Sequence, residues 1–291
     1  IIVLFKNLNI TIYIPSINAI ETTIFYLILY LFAKYYKEIY IYIVTIILVF
    51  LFVNKVNFNI FGKVSFLSLT EGDAILIDLP LNKGIILIDT GKNDNDEVIN
   101  YLKSSGVMKI DYLILTHNHD DHNGKASEII NEFNVTNVVV SEYDNSKYSH
   151  TNKSIKVKAG NKLILNGYEL NIISPKYESN NENDNSIVLT ITLGNYKYLF
   201  LGDATKEVEN TLEVDDVDVV KVGHHGSNTS TDKNFYENLK PKYAIITSGY
   251  YNKYGFPHQE TLNNLENIKV LRTDLEDQIN IYFTKLFSII T

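Results

Sequence analysis

The sequence predicts an α/β protein carrying a helical segment at its front, and three observations lead there. From about residue 61 onward, short runs rich in Ile, Val, Leu and Tyr alternate with helical periodicities, and Gly, Asn and Asp punctuate them. Six of the seven histidines fall in three loops, each directly after a strand-like run. The first sixty residues are far more apolar than the rest. Strand, loop chemistry and helix in that repeating order describe α/β traffic rather than a helical bundle.

Taken in order, residues 17–33 and 39–53 are apolar stretches near the lower length limit for a helix that spans a bilayer. Lys34-Tyr35-Tyr36-Lys37-Glu38 between them is short, charged and aromatic, as an interfacial turn should be. Residues 1–60 are therefore expected to be a membrane segment with two transmembrane helices, and residues 61–291 a separate catalytic domain. The chain begins at Ile1 and its only methionine is Met108, so a fragment of a larger membrane protein is expected. Lys34 and Lys37 favour the connecting loop inside, which puts the following domain outside the cytoplasm.

Residues 63–69 and 74–79 read as strands separated by the turn Thr70-Glu71-Gly72-Asp73, and residues 84–89 as a third strand ending in Asp89-Thr90-Gly91. A helix over 94–106, with apolar Val98, Ile99 and Leu102, precedes the strand Asp111-Tyr112-Leu113-Ile114-Leu115. A helix to Phe133 and a strand over 135–140 follow, then a polar loop in which His150 is a solvated surface residue. Residues 154–174 alternate like hairpins, with Asn166-Gly167 as a turn, and a second, mostly antiparallel sheet is expected to begin there. A hairpin over 186–201 delivers Leu201-Gly202-Asp203; the strand 217–222 delivers Gly223-His224-His225-Gly226-Ser227; the strand 243–247 leads to Tyr254-Gly255-Phe256-Pro257-His258.

Thr116-His117-Asn118-His119-Asp120-Asp121-His122 concentrates metal-ligand chemistry where a strand ends. His117 and His119, two apart, lean the same way in extended backbone and can share one cation. Asp121 and His122 follow where the chain turns and can address a second. Imidazole with carboxylate suits zinc, manganese or iron better than calcium. Asp203 emerges from a strand end through a glycine, where it either bridges two cations or caps the helix after it. His224 and His225 with Ser227, Thr229 and Ser230 supply ligands and hydroxyl donors suited to an oxyanion. Absence of cysteine excludes disulfides and thiolate zinc sites. A net charge of −8 gives no general attraction for nucleic acid, so a polyanionic substrate needs local help, such as two dications.

The run His-x-His-x-Asp-His is the pattern of the metallo-β-lactamase superfamily, which the chain resembles from about Val64 to the C-terminus. Glu71-Gly72-Asp73-Ala74, Ile88-Asp89-Thr90-Gly91, Asn183-Asp184-Asn185-Ser186, Leu201-Gly202-Asp203, Lys221-Val222-Gly223-His224-His225-Gly226-Ser227 and Tyr254-Gly255-Phe256-Pro257-His258 narrow the resemblance. It is to the C-terminal hydrolase domain of ComEC-type competence proteins, the DNA-uptake channels of bacteria. That resemblance implies a four-layer αββα sandwich with two divalent ions, zinc or manganese, at one edge of its sheets. By it, His117, His119, Asp121, His122, His224 and a bridging Asp203 are the metal ligands, and Asp89 and Asn185 support them by hydrogen bonds. Asp121, His225 and His258 take the catalytic part, and His225 lies on the substrate side by likeness to the Ser-Gly-His-Ala-Ser loop of ribonuclease J-like relatives. Ser227, Thr229 and Ser230 bind substrate.

Two departures stand out. Asn183-Asp184-Asn185 replaces a third histidine found in many of the superfamily's hydrolases, and Phe256 stands where relatives often have histidine. The expected function is a membrane-anchored phosphodiesterase or nuclease acting on DNA during uptake, alongside other competence proteins. Hydrolysis of a lactam, thioester or lactone is the competing enzymatic expectation, and a non-catalytic metal- or DNA-binding channel domain the non-enzymatic one.

Overall fold

The runs of branched and aromatic residues pair into two sheets in the computed structural model, which describes residues 19–37, 40, 42–45 and 59–291. Two units are distinguished: residues 60–98 with 109–291, and residues 1–59 with 99–108. In the smaller unit, α1 (Ala19–Tyr35) is a helix of 17 residues. Among the described residues no helix is long and apolar enough to cross a membrane, so the expected spanning hairpin is not found there. Its first segment coincides with most of α1; its second, 39–53, lies outside the described residues except at 40 and 42–45.

The larger unit opens with β1 (Gly62–Phe66), β2 (Ile75–Leu79) and β3 (Gly84–Ile88), before α2 (Glu97–Ser104), which runs across the unit boundary. Then come β4 (Lys109–Leu115), α3 (Asp120–Asn123), α4 (Ala126–Glu132), β5 (Asn134–Ser141) and β6 (Ser154–Val157). These strands form one sheet in the order β15-β14-β1-β2-β3-β4-β5-β6, where β14 (Ile279–Phe283) and β15 (Ser288–Ile290) return from the C-terminus. The other sheet, β13-β12-β11-β10-β9-β8-β7, is built from β7 (Lys162–Leu165), β8 (Tyr168–Ser174), β9 (Val188–Leu193), β10 (Tyr196–Phe200), β11 (Val219–Lys221), β12 (Tyr243–Ile246) and β13 (Lys269–Arg272).

The second sheet begins at β7 rather than at residue 154, because β6 pairs parallel with β5 in the first. Nor is it mostly antiparallel: the pairings β10–β11, β11–β12 and β12–β13 are parallel. Helices supply the crossovers such pairs require: α5 (Lys206–Glu209), α6 (Lys233–Leu239) and α7 (Gln259–Asn264). A one-turn helix, α8 (Thr273–Glu276), follows β13.

Alternation decides what each face buries. Ile86 and Ile88 of β3, with Phe66, Ile77 and Ile114, belong to one cluster with Leu170, Leu189, Ile191, Tyr198, Phe200 and Ile245 of the opposite sheet. The intervening Leu87, Leu113 and Val138 are buried as well, as in a sheet covered on both faces. On the outer face of the second sheet, Leu199, Val220 and Ala244 pack with Phe235, Tyr236 and Leu239 of α6. This is an α/β sandwich. Because β3–β4 and β10–β11–β12 are parallel runs, the loops after them collect at the carboxyl ends of their strands, where α/β sheets place ligands.

Candidate metal centre

The loops after β3, β4, β10 and β11 bring ionisable side chains together, four of them from the loop after β4, and the backbone ties the loops to one another. Asp73 N donates to the Asp121 carbonyl at 3.1 Å, Gly91 N to Asp73 O at 2.8 Å, and Thr90 N to His122 O at 2.7 Å. Gly72 allows this approach: its φ is +95°, and a Cβ there would lie 1.9 Å from the Asp121 carbonyl oxygen.

Asp89, after β3, receives Thr116 N and Thr116 Oγ1, each at 2.8 Å, and its Oδ2 lies 2.8 Å from His122 Nδ1. This carboxylate fixes the His122 ring and turns Nε2 inward, the usual arrangement behind a metal-binding imidazole. A second support of the same kind stands behind His225. Its Nδ1 lies 3.1 Å from the Thr247 carbonyl and 3.2 Å from Asp73 Oδ1, while Nε2 faces Asp121 Oδ2 at 3.5 Å and Asp203 Oδ2 at 3.7 Å. Asp73 is held in turn by Thr247 Oγ1 and by a buried ion pair with Lys221, whose ammonium also donates to Gly202 O at 3.2 Å. That last contact steadies the residue before Asp203. Thr205, not Asp203, stands at the N-cap of α5, which leaves the Asp203 carboxylate to face His122 Nε2 at 3.2 Å.

The inward atoms His122 Nε2, His225 Nε2 and Asp203 Oδ1 are buried and, among the described residues, make no hydrogen bond of good geometry; they face one another and Asp121, His122 Nε2 at 3.2 Å from Asp203 Oδ1 and His225 Nε2 at 3.5 Å from Asp121 Oδ2. Single ligand atoms of Asp73, His122, Asp203 and His225 lie within 4.8 Å of one another. Of these, Asp73 is already committed to Lys221, Thr247 and His225 Nδ1, so it supports the group rather than completing it. Asp121, with its side chain 27% exposed, approaches His122 Nε2 at 4.0 Å and completes a donor set of two imidazoles and two carboxylates. His117 and His119 sit beside it: His117 Nε2 is 3.0 Å from His119 Nδ1, and the His117 and His122 ring centres are 4.3 Å apart.

Electrostatics agree with a site built for a cation. Burial would raise Asp203, but His122 and His225 outweigh it and hold the carboxyl well below its ordinary range. Burial likewise opposes charge on His225, yet Asp73 and Asp203 push its imidazole up to about 10. His122 is raised well above its ordinary value by Asp203 and Asp89 against the same burial cost. His117, desolvated and beside His122, is pushed down.

The remaining expected residues fall elsewhere. His224 lies toward the rim; its Nδ1 is 2.8 Å from Thr229 Oγ1 and its Nε2 3.7 Å from Asp203 Oδ2. Ser227 Oγ accepts from Thr229 N and Oγ1, and Ser230 Oγ donates to the carbonyls of Gly223 and Ser227, so these hydroxyls brace their own loop. Asn185 spends its amide on the backbone of Ser179, accepting from N at 2.8 Å and donating to O at 2.9 Å, and touches no ligand with it. His258 has both nitrogens against backbone, Nδ1 accepting from Asn228 N and Nε2 meeting Tyr254 O. A cavity of about 370 Å³ opens over the cluster, lined by His119, Asp121, Asp203, His224, His225, Tyr254 and Phe256 among others; His258 is not part of its wall. Asp73 and Lys221 were given no role from sequence. The available signal was a lone lysine inside the apolar run Val219-Val220-Lys221-Val222, which only a buried partner explains.

A strand-end cluster of His and Asp in an α/β sandwich defines a class, and the sequence agrees with it. The chain belongs to the metallo-β-lactamase superfamily, whose family model matches residues 68–249. It is 32% identical over 247 residues to ComE operon protein 3 of Bacillus subtilis, covering 73% of this chain and 32% of that protein. It is 31% identical over 232 residues to Recombination protein 2 of Haemophilus influenzae, covering 76% and 29%. These relatives are ComEC-type competence proteins, and the chain spans about a third of their length. Among solved structures it is similar to Igni18, a metallo hydrolase from Ignicoccus hospitalis, with a TM-score of 0.53 at 16% identity, covering 76% of this chain and all of that one.

Proposed function

We propose that the chain is a metal-dependent hydrolase that cleaves phosphodiester bonds of DNA during uptake. The observation that carries this is the buried cluster of His122 Nε2, His225 Nε2 and Asp203 Oδ1, which among the described residues make no hydrogen bond of good geometry, with both imidazoles fixed from behind. Buried polar atoms left without partners are costly, and a divalent ion satisfies all three. On this reading Asp121, His122 and His225 hold one zinc or manganese ion, His117 and His119 a second, and Asp203 lies between. His225 on this reading takes the ligand role that the family resemblance implies for His224. When bound, such ions supply acidification of water and neutralisation of charge on the phosphate. His224, at the rim with Thr229 on Nδ1, is placed to contact the phosphate or to hand a proton to the departing oxygen. The competence relatives support DNA as the substrate, and the apolar segments 17–33 and 39–53 support attachment to a membrane with the hydrolase unit outside the cytoplasm.

The test offers purified protein with manganese or zinc a labelled single-stranded DNA and, in parallel, lactam, thioester and lactone substrates. Cleavage of DNA alone is expected, and Asp203→Asn should lose it by about a hundredfold or more while keeping the fold. Turnover of an acyl substrate with DNA untouched contradicts the proposal. So does full activity in the Asp203 variant.

A further inference from the structure

The wall of the cavity opposite the carboxylates is aromatic. The Phe256 ring lies 6.2 Å from the His225 ring at an interplanar angle of 24°, and Tyr254 lies 5.4 Å from Phe256 at 21°. Three near-parallel rings thus rise from the metal cluster to the surface, where Tyr254 is 51% exposed. A half-exposed aromatic ring at a cavity mouth is available to another flat ring once a mobile neighbour moves aside. The loop that carries it is fixed beforehand. Asn252 Oδ1 accepts from Phe256 N at 2.7 Å, and its Nδ2 donates to the carbonyls of Gly249 and Phe256, each at 2.8 Å.

Charged groups of both signs meet at this rim, where Lys92 approaches Asp94 at 3.7 Å. Lys253 Nζ stands 4.9 Å from the centre of the Tyr254 ring, and both Lys253 and Lys92 reach Glu71, at 3.3 and 2.7 Å. The Lys253 side chain is 61% exposed, so a ring that settles on Tyr254 can displace it toward a phosphate. A phosphate on the metal cluster, a flat ring on the aromatic wall and two ammonium groups beside it match one nucleotide and its neighbouring phosphate in a cavity of about 370 Å³. Bases in a duplex have both faces covered by their neighbours, whereas an unpaired base has a free face.

We propose that Tyr254 and Phe256 form a stacking platform for an unpaired nucleobase next to the phosphodiester under attack, and that this makes single-stranded DNA the preferred substrate. The inference rests on the phosphodiesterase reading above. It is tested by equilibrium binding, without turnover, of the full chain to a short single-stranded oligodeoxynucleotide that carries a fluorescent adenine analogue quenched by stacking. An oligonucleotide with abasic sites and a duplex of the same sequence serve as comparisons. The protein should quench the analogue. Tyr254→Ala and Phe256→Leu should weaken binding about tenfold or more and abolish quenching, Tyr254→Phe should restore both, and the abasic strand should bind both Tyr254 forms equally weakly. Tight binding and quenching that survive Tyr254→Ala overturn the platform and leave the phosphodiesterase reading standing, as does equal weakening on normal and abasic strands. Absence of binding to any strand, together with no DNA cleavage, overturns both.

Discussion

His224 and His225 are adjacent, and extended backbone would send them in opposite directions. The structure separates them differently: both have positive φ, 49° and 53°, so the chain coils, burying the His225 ring and leaving His224 toward the rim, with each Nε2 3.7 Å from Asp203 Oδ2. Sequence tells that the two must differ, but which of them faces inward depends on a left-handed conformation that residue identity does not announce. Asp89 was legible because an acid between a strand and Thr-Gly has few other uses. Asp73 was not, because its partner Lys221 lies far away in the chain and in the other sheet. That pair makes a prediction at the residue scale. Lys221→Met removes the ammonium paired with a wholly buried Asp73 carboxylate, leaving it His225 Nδ1 as an ionisable neighbour, and should cost about 3–5 kcal/mol in chemical denaturation. Adding Asp73→Asn should recover part of the loss, whereas additive losses would show that the two do not act as a pair. A second residue makes a pH prediction. Glu209 is wholly buried, accepts from Thr231 N and Asp232 N, and is raised from 4.5 to about 7, chiefly by burial. Between those values the folded chain keeps a proton that the unfolded chain has lost, so stability falls as pH rises from 4.5 to about 7 and levels off above. The contribution is on the order of 3 kcal/mol, and Glu209→Gln should flatten that slope. An unchanged slope would remove Glu209 from the account.

At the scale of elements, the positions of the site-bearing loops followed from pattern alone, since apolar runs of four to eight residues end where polar ligands begin. Helix lengths followed less well. The helix expected after Asp203 is a single turn, α5, with Thr205 rather than Asp203 at its N-cap. Half of the second sheet is parallel, a property that runs such as Val219-Val220-Lys221 do not encode, since three residues suit either partner direction. For α1, exposed Tyr26, Leu27, Leu29 and Tyr30 give an apolar surface suited to lipid. If the front of the chain attaches to a membrane with the hydrolase unit outside, protease added to spheroplasts should digest that unit. Its protection until the cells are lysed would contradict the orientation.

For the whole molecule, the α/β class was legible because strands alternate with helical periodicities, whereas the sandwich was an implication of the family resemblance. Which supports stand behind the ligands was not legible, since that depends on contacts between sheets: Asp73 with Lys221, and His225 with Thr247. On the proposed function these loops converge to bind metal, with His225 rather than His224 as the ligand. Elemental analysis of the full chain after gel filtration in manganese or zinc tests this most directly. Wild-type protein and His224→Ala should carry the same amount of metal, and His225→Ala should lose a substantial part of it. Metal lost from His224→Ala but kept by His225→Ala, or no bound metal in the wild-type chain, would contradict the account.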